Sequence, residues 1–129
     1  MSEREFDVVV LGAGAAGEVA AGRLAERGLE VAIVEERLVG GECSFYACMP
    51  SKALLRPVEL RAEAGRVRGL AVGELDVPGV LARRDEVVHD LDDSSMVPWL
   101  TDRGVTLVRG HGRLDGERRV TVGDETLVA

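Results

Sequence analysis

The run Phe6-Asp7-Val8-Val9-Val10-Leu11 passes at once into Gly12-Ala13-Gly14-Ala15-Ala16-Gly17. Continuous β-branched apolar residues predict a strand buried on both faces, the pattern of a parallel sheet. The alanine-rich stretch from Ala15 to Arg27 predicts a helix, and Gly28 ends it. Val31-Ala32-Ile33-Val34 predicts a second strand, closed by Glu35. The order is therefore strand, Gly-x-Gly-x-x-Gly, helix, strand, acid. Glu35 follows Gly12 by 23 positions, close to the spacing of a ribose-binding carboxylate.

Each part of that order has a physical reason. The glycines allow a tight turn and bring backbone close to a pyrophosphate at a helix N-terminus. Alone, Gly-x-Gly-x-x-Gly is weak in a chain with 16 glycines. With both strands, the helix and the acid in place, it predicts a dinucleotide site at Gly12, Gly14, Gly17 and Glu35. Glu35 and Glu36 would repel a 2′-phosphate, so they suit an unphosphorylated ribose, as in FAD or NAD.

Cys43 and Cys48 are the only cysteines, and they are five positions apart. A disulfide closing so short a loop is worth only about 2 kcal/mol, against about 5 for a loop of a hundred residues. A pair meant to hold a fold together would join distant segments, so redox exchange is the first expectation. Pro50 suits the first turn of a helix, and Met49 before it is disfavoured from helical angles. Cys48 then lies near a helix N-terminus, where the dipole favours a thiolate, and Lys52 adds charge one turn on. Lys52 is the single lysine among 16 basic residues. Either it is needed there as a compact point charge, or it is a chance survivor of an arginine-biased composition.

The stretch Gly40-Gly41-Glu42-Cys43-Ser44-Phe45-Tyr46-Ala47-Cys48-Met49-Pro50-Ser51-Lys52 resembles the Gly-Gly-x-Cys-x-Asn-x-Gly-Cys-x-Pro-Ser-Lys signature of the pyridine nucleotide-disulfide oxidoreductases. Dihydrolipoamide dehydrogenase, glutathione reductase and mercuric reductase belong to that family. Phe45 stands in place of Asn and Ala47 in place of Gly, both between the cysteines, and these departures point to a divergent branch. The resemblance implies FAD on Gly12, Gly14 and Gly17, with Glu35 on its ribose. It implies that Gly40 and Gly41 pass close to the cofactor. It places Cys48 against the flavin, Cys43 as the outer thiol that attacks substrate, and Lys52 beside the flavin. Gly110-His111-Gly112-Arg113 resembles the family's later Gly-x-Gly segment, with Gly112 touching the adenosine part. It further implies NAD(P)H as electron donor, a small-molecule or protein disulfide as substrate, and a homodimeric parent enzyme.

The remaining chain carries weaker signals. Leu54 to Leu70 predicts one long helix, with Pro57 placed to kink it. Asp76-Val77-Pro78 predicts a helix start, and residues 79–93 the helix. Ser94 to Pro98 breaks the pattern before Trp99-Leu100. Val105 to Val108 predicts a third parallel strand. Leu114, Val120 to Val122 and Leu127-Val128, separated by Asp115-Gly116 and Gly123-Asp124, predict a β-meander. Phe45 and Tyr46 either pack on the flavin or fill the core.

Charge and composition exclude several function classes. A net charge of −7 argues against nucleic acid and anionic membranes. His89 and His111 with the two cysteines fit no zinc module. No apolar run reaches membrane-spanning length, and a short-loop cysteine pair suits a reducing, cytoplasmic compartment. The 129 residues suffice for one domain with its own core. The fold expected is an α/β, Rossmann-like FAD/NAD(P)-binding domain with a parallel sheet and a β-meander. Residues 1–129 would be its N-terminal part, C-terminally incomplete, with the nicotinamide and interface domains absent. Two other readings stand beside the redox one: a flavin dehydrogenase or transhydrogenase with idle cysteines, and a non-catalytic nucleotide-binding module.

Overall fold

The computed structural model describes residues 2–129, which divide into two compact units. The first runs to Gly41 and resumes at Asp93; the second is Glu42–Asp92.

The first unit is built on a three-stranded parallel sheet. Strands β2 (Val8–Leu11), β3 (Val31–Glu35) and β4 (Thr106–Arg109) lie in the order β2-β3-β4. Register pairs Val8 with Val31 and Ala32 with Thr106. Helix α1 (Ala15–Ala25) makes the crossover from β2 to β3. The central strand is buried on both faces, as its unbroken apolar sequence requires. Val31 and Ile33 point into one core with Ala21, Val39, Leu100 and Val105; Ala32 and Val34 point into the other with Val108, Val120, Val122 and Leu127. Ile33 is fully buried and contributes about 1.5–3 kcal/mol relative to exposure.

The second core is closed by a four-stranded sheet ordered β1-β7-β6-β5: β1 (Ser2–Glu5), β5 (Gly112–Leu114), β6 (Arg119–Val122) and β7 (Glu125–Val128). The meander β5-β6-β7 is antiparallel, as its turn residues predict. Strand β1 is not foreseen in the sequence. Its Ser-Glu-Arg-Glu carries no apolar alternation, and all four residues are exposed. Parallel backbone pairing with β7 creates it, with ion pairs Arg4–Glu125 and Arg119–Glu3 alongside.

Helix α4 (Val97–Thr101) packs on α1. Trp99 lies over Gly22, where a Cβ would come within 2.4 Å of the indole ring. The Arg103 guanidinium stacks over the indole, 4.0 Å from the Trp99 ring centroid, and donates to Glu26 at 2.8 Å.

The second unit is helical. Helix α2 (Cys48–Gly65) packs against α3 (Val77–Val87). Asp76 caps α3 by accepting from the Gly79 N–H at 3.2 Å, at the predicted start. Three boundaries differ from expectation. Met49 is helical despite Pro50, because the helix already begins at Cys48. Helix α2 ends five residues before Leu70, and Pro57 sits inside it. Helix α3 stops at Val87, not residue 93, because His89, Asp90 and Leu91 all have φ of 50–62°. Left-handed backbone cannot continue a right-handed helix.

Candidate functional site

The predicted site residues separate between the two units. Gly12, Gly14, Gly17, Glu35, Gly41 and Gly112 belong to the first; Cys43, Cys48 and Lys52 belong to the second.

In the first unit the glycines have different tasks. Gly12 leaves β2 with φ +94°, which favours glycine. Its N–H still bonds Val34 O at 2.8 Å, so the turn starts directly from the sheet. Gly14 is the N-cap of α1 and offers no side chain to its free N–H groups. A Cβ built on Gly14 would meet no protein atom within 4 Å. Gly17 is the reverse: its Cβ would lie 1.9 Å from Gly12 O. The helix therefore crosses the turn at a distance only glycine permits. Gly41, with φ +59°, packs on the same turn, and a Cβ there would lie 2.7 Å from Gly14 Cα. Gly40 ties the two segments together by donating to Ala13 O at 2.8 Å.

Glu35 is built into this turn. One carboxylate oxygen accepts from the Ala13 N–H at 2.8 Å and the other from the Arg37 N–H at 2.7 Å. An ionised carboxylate has about four acceptor positions, so two remain for a ligand. Glu35 also lines a recess of about 210 Å³ with Leu11, Gly12, Glu36, His111 and Gly112. A Cβ on Gly112 would come within 2.7 Å of Leu11 Cδ2, so the Leu11 side chain would have to shift to admit one. The exposed His111 ring pairs through Nδ1 with the Glu36 carboxylate. Glu18, in the first turn of α1, is half-buried, and that burial pushes its carboxyl above the ordinary carboxylate value.

Sequence reading missed Asp93 and Arg109. Asp93 Oδ2 accepts from Val39 N at 2.7 Å and from Arg109 Nη1 at 2.6 Å. The Arg109 hydrogen bond holds the Asp93 carboxyl below the usual carboxylate range, with burial opposing it. The pair is thus ionised at neutral pH, and its stabilising contribution is lost only as pH falls through that lowered value. An acid in a polar loop and an arginine ending a strand carry no pattern that links them in sequence.

In the second unit, residues Glu42–Tyr46 form a π-helical turn, closed by Ala47 N–H to Glu42 O at 2.6 Å. This explains the cysteine spacing. Residues five apart are one turn apart in an i→i+5 helix, so Cys43 and Cys48 meet. Both are free and partly exposed. Cys48 is the first residue of α2, as predicted near a helix start. A hydrogen bond to Cys48 raises the Cys43 thiol above its ordinary pKa, as do desolvation and the Cys48 charge; Lys52 works in the opposite direction. Phe45 is buried, whereas Tyr46 is exposed. Phe45, Tyr46 and Val88 line a recess within this unit.

These opposing influences make a prediction. Cys48→Ala removes the hydrogen bond and the neighbouring charge, so the pH midpoint for alkylation of Cys43 by iodoacetamide should fall. Lys52→Met should raise it. An unchanged midpoint in Cys48→Ala would show that the two thiols do not interact.

Among the described residues, no cluster of three or more His, Cys, Asp or Glu could hold a metal, and no helix is long and apolar enough to cross a membrane. Comparison with known proteins gives the fold and the lineage. The chain is 35% identical over 125 residues to dihydrolipoyl dehydrogenase of Chlamydia muridarum, covering 94% of this chain and 27% of that protein. It is 40% identical over 123 residues to dihydrolipoyl dehydrogenase 3 of Pseudomonas aeruginosa, covering 91% and 26%. It therefore spans about a quarter of the length of these relatives. Among solved structures, the Cu(II) complex of the HOCl-induced flavoprotein disulfide reductase RclA from Escherichia coli superposes with a TM-score of 0.78 at 23% identity, covering 97% of this chain and 27% of that one. That likeness shows the Rossmann-like α/β fold. The family model described as pyridine nucleotide-disulphide oxidoreductase matches residues 6–129, nearly the whole chain, and this chain belongs to that family.

Proposed function

We propose that this chain is the FAD-binding part of an oxidoreductase that passes electrons from NAD(P)H through FAD to a Cys43–Cys48 disulfide and on to a disulfide substrate. The observation that carries the cofactor reading is the open space at Gly14, set directly before the uncapped N-terminus of α1. A pyrophosphate fits that space, with backbone N–H groups and the helix dipole facing it. The remaining acceptor positions of Glu35 suit ribose hydroxyls, and Gly41 keeps the opposite wall free of a side chain. FAD, when bound, carries two electrons between the nicotinamide donor and the cysteine pair.

The cysteines perform the substrate step. The reduced pair loses a proton, and the Cys43 thiolate attacks one sulfur of the substrate disulfide. A mixed disulfide forms and the first substrate thiol leaves. Cys48 then attacks the Cys43 sulfur, releases the second thiol and restores the internal disulfide. The substrate takes up two electrons and two protons, and the dithiol is oxidised. The hydrogen bond to Cys48 raises the Cys43 thiol above its ordinary pKa, and the Lys52 ammonium works the other way, toward the thiolate that attacks.

The test is turnover. The complete protein loaded with FAD should consume NADH or NADPH on addition of a small disulfide, oxidised lipoamide among the panel, and should not do so without FAD. NAD(P)H consumption that is independent of every disulfide offered, yet supported by a redox dye, would favour a flavin dehydrogenase with idle cysteines.

A further inference from the structure

We infer that Asp93 is a positioning residue for the dinucleotide cradle, acting through Val39 and Arg109 on the Gly40–Gly41 backbone. The inference rests on the FAD reading above and concerns residues outside both sequence motifs.

The chain between Glu35 and Gly41 has no regular hydrogen-bonding ladder of its own. Asp93 supplies one. Its Oδ2 accepts from the Val39 N–H at 2.7 Å and from Arg109 Nη1 at 2.6 Å. The same Arg109 nitrogen donates to Arg37 O at 3.0 Å. One carboxylate and one guanidinium thus fix the backbone at two positions of residues 37–39. The Asp93 side chain is only 13% exposed, and Val39 is fully buried. Removing the acceptor would leave a Val39 N–H without its partner in a buried place.

The consequence reaches the cofactor side within two residues. Gly40 follows Val39 and donates to Ala13 O at 2.8 Å. Gly41 follows Gly40 and stands so close to Gly14 that a Cβ on it would come within 2.7 Å of Gly14 Cα. The wall facing Gly14 is therefore held by a carboxylate that touches neither glycine. Arg109 adds the second anchor, because it ends β4 in register with Glu35, and the Gly110 N–H bonds Glu35 O at 2.9 Å. Asp93 thereby couples the ends of β3 and β4 to the loop that walls the turn.

A purely structural role would lower stability without a specific effect on FAD. The experiment separates the two by measuring the FAD dissociation constant, from flavin fluorescence, and apoprotein melting in the complete protein. Arg103→Ala serves as the control: it removes the Trp99 stacking and the Glu26 bond, both away from the loop. Asp93→Ala should weaken FAD binding roughly 10-fold, the scale set by losing hydrogen bonds to a charged group. Asp93→Asn keeps an acceptor for the Val39 N–H but loses the negative charge that faces Arg109, and should weaken binding by only about threefold. Arg103→Ala should lower the melting temperature and leave FAD affinity unchanged. If Asp93→Ala does not fold, Asp93→Asn against Arg103→Ala decides by the same criterion. Affinity within twofold of wild type in the folded Asp93 variants overturns the inference. So does an affinity loss in Arg103→Ala that matches its loss of stability. If Gly14→Val loses FAD and Asp93→Ala does not, this inference alone falls. If Gly14→Val retains FAD, the FAD reading falls and this inference with it.

Discussion

Gly14→Val should leave the fold standing and lower FAD affinity by at least about 100-fold, equivalent to about 3 kcal/mol of binding. The two halves of that expectation have separate causes. Gly14 has φ −79° and ψ −178°, extended backbone that valine adopts readily. Its Cβ would meet no protein atom within 4 Å, so the side chain branches into open space. Losing glycine at an N-cap costs only about 1 kcal/mol. The same open space is where the pyrophosphate is proposed to lie, so the new side chain competes with it directly. Gly17→Ala is the instructive opposite. Its Cβ would stand 1.9 Å from Gly12 O, so backbone must shift, and a loss of about 3 kcal/mol of stability is expected. Melting of the apoprotein and titration with FAD measure both. A Gly14→Val protein that melts normally and binds FAD like wild type would remove the glycine turn from the cofactor site.

Cys43→Ser should abolish disulfide reduction, by at least about a thousandfold, while NAD(P)H-driven reduction of a dye persists. Serine cannot form the mixed disulfide, and its hydroxyl is a far weaker nucleophile than a thiolate at neutral pH. Cys48→Ser should lose turnover as well, because nothing then resolves the mixed disulfide. The two variants differ in what accumulates. Cys48→Ser retains the attacking sulfur and should trap substrate on Cys43, visible as a mass increase on the intact protein. Cys43→Ser should trap none in that way. Full turnover in either variant would make the cysteines idle.

The sequence was most informative where one local pattern governs the structure. Strand β3 could be read from four apolar residues because burial on both faces demands them. The α1 turn could be read because glycine is sterically required at Gly17, and the cap of α3 because Asp76 precedes Val77-Pro78. Strand β1 was hidden because its stability comes from pairing with residues more than a hundred positions away, not from its own side chains. The α3 end was misjudged because left-handed backbone at His89–Leu91 occurs without a glycine to announce it. The cysteine spacing suggested exchange, but the π-helical turn that brings the thiols together has no residue signature of its own. The Asp93–Arg109 pair was invisible for a similar reason, since it joins residues that only the folded sheet brings together.

Counting thiols shows whether electrons reach Cys43 and Cys48 from a nicotinamide through bound FAD, as proposed. The complete, FAD-loaded protein is first oxidised, then given NADH or NADPH without oxygen, quenched in denaturant and labelled. No labelled thiol is expected on Cys43 or Cys48 before the donor is added and one on each afterwards, with no such gain when FAD is removed. Two labelled cysteines before any donor, unchanged by oxidant and by NAD(P)H, would contradict it.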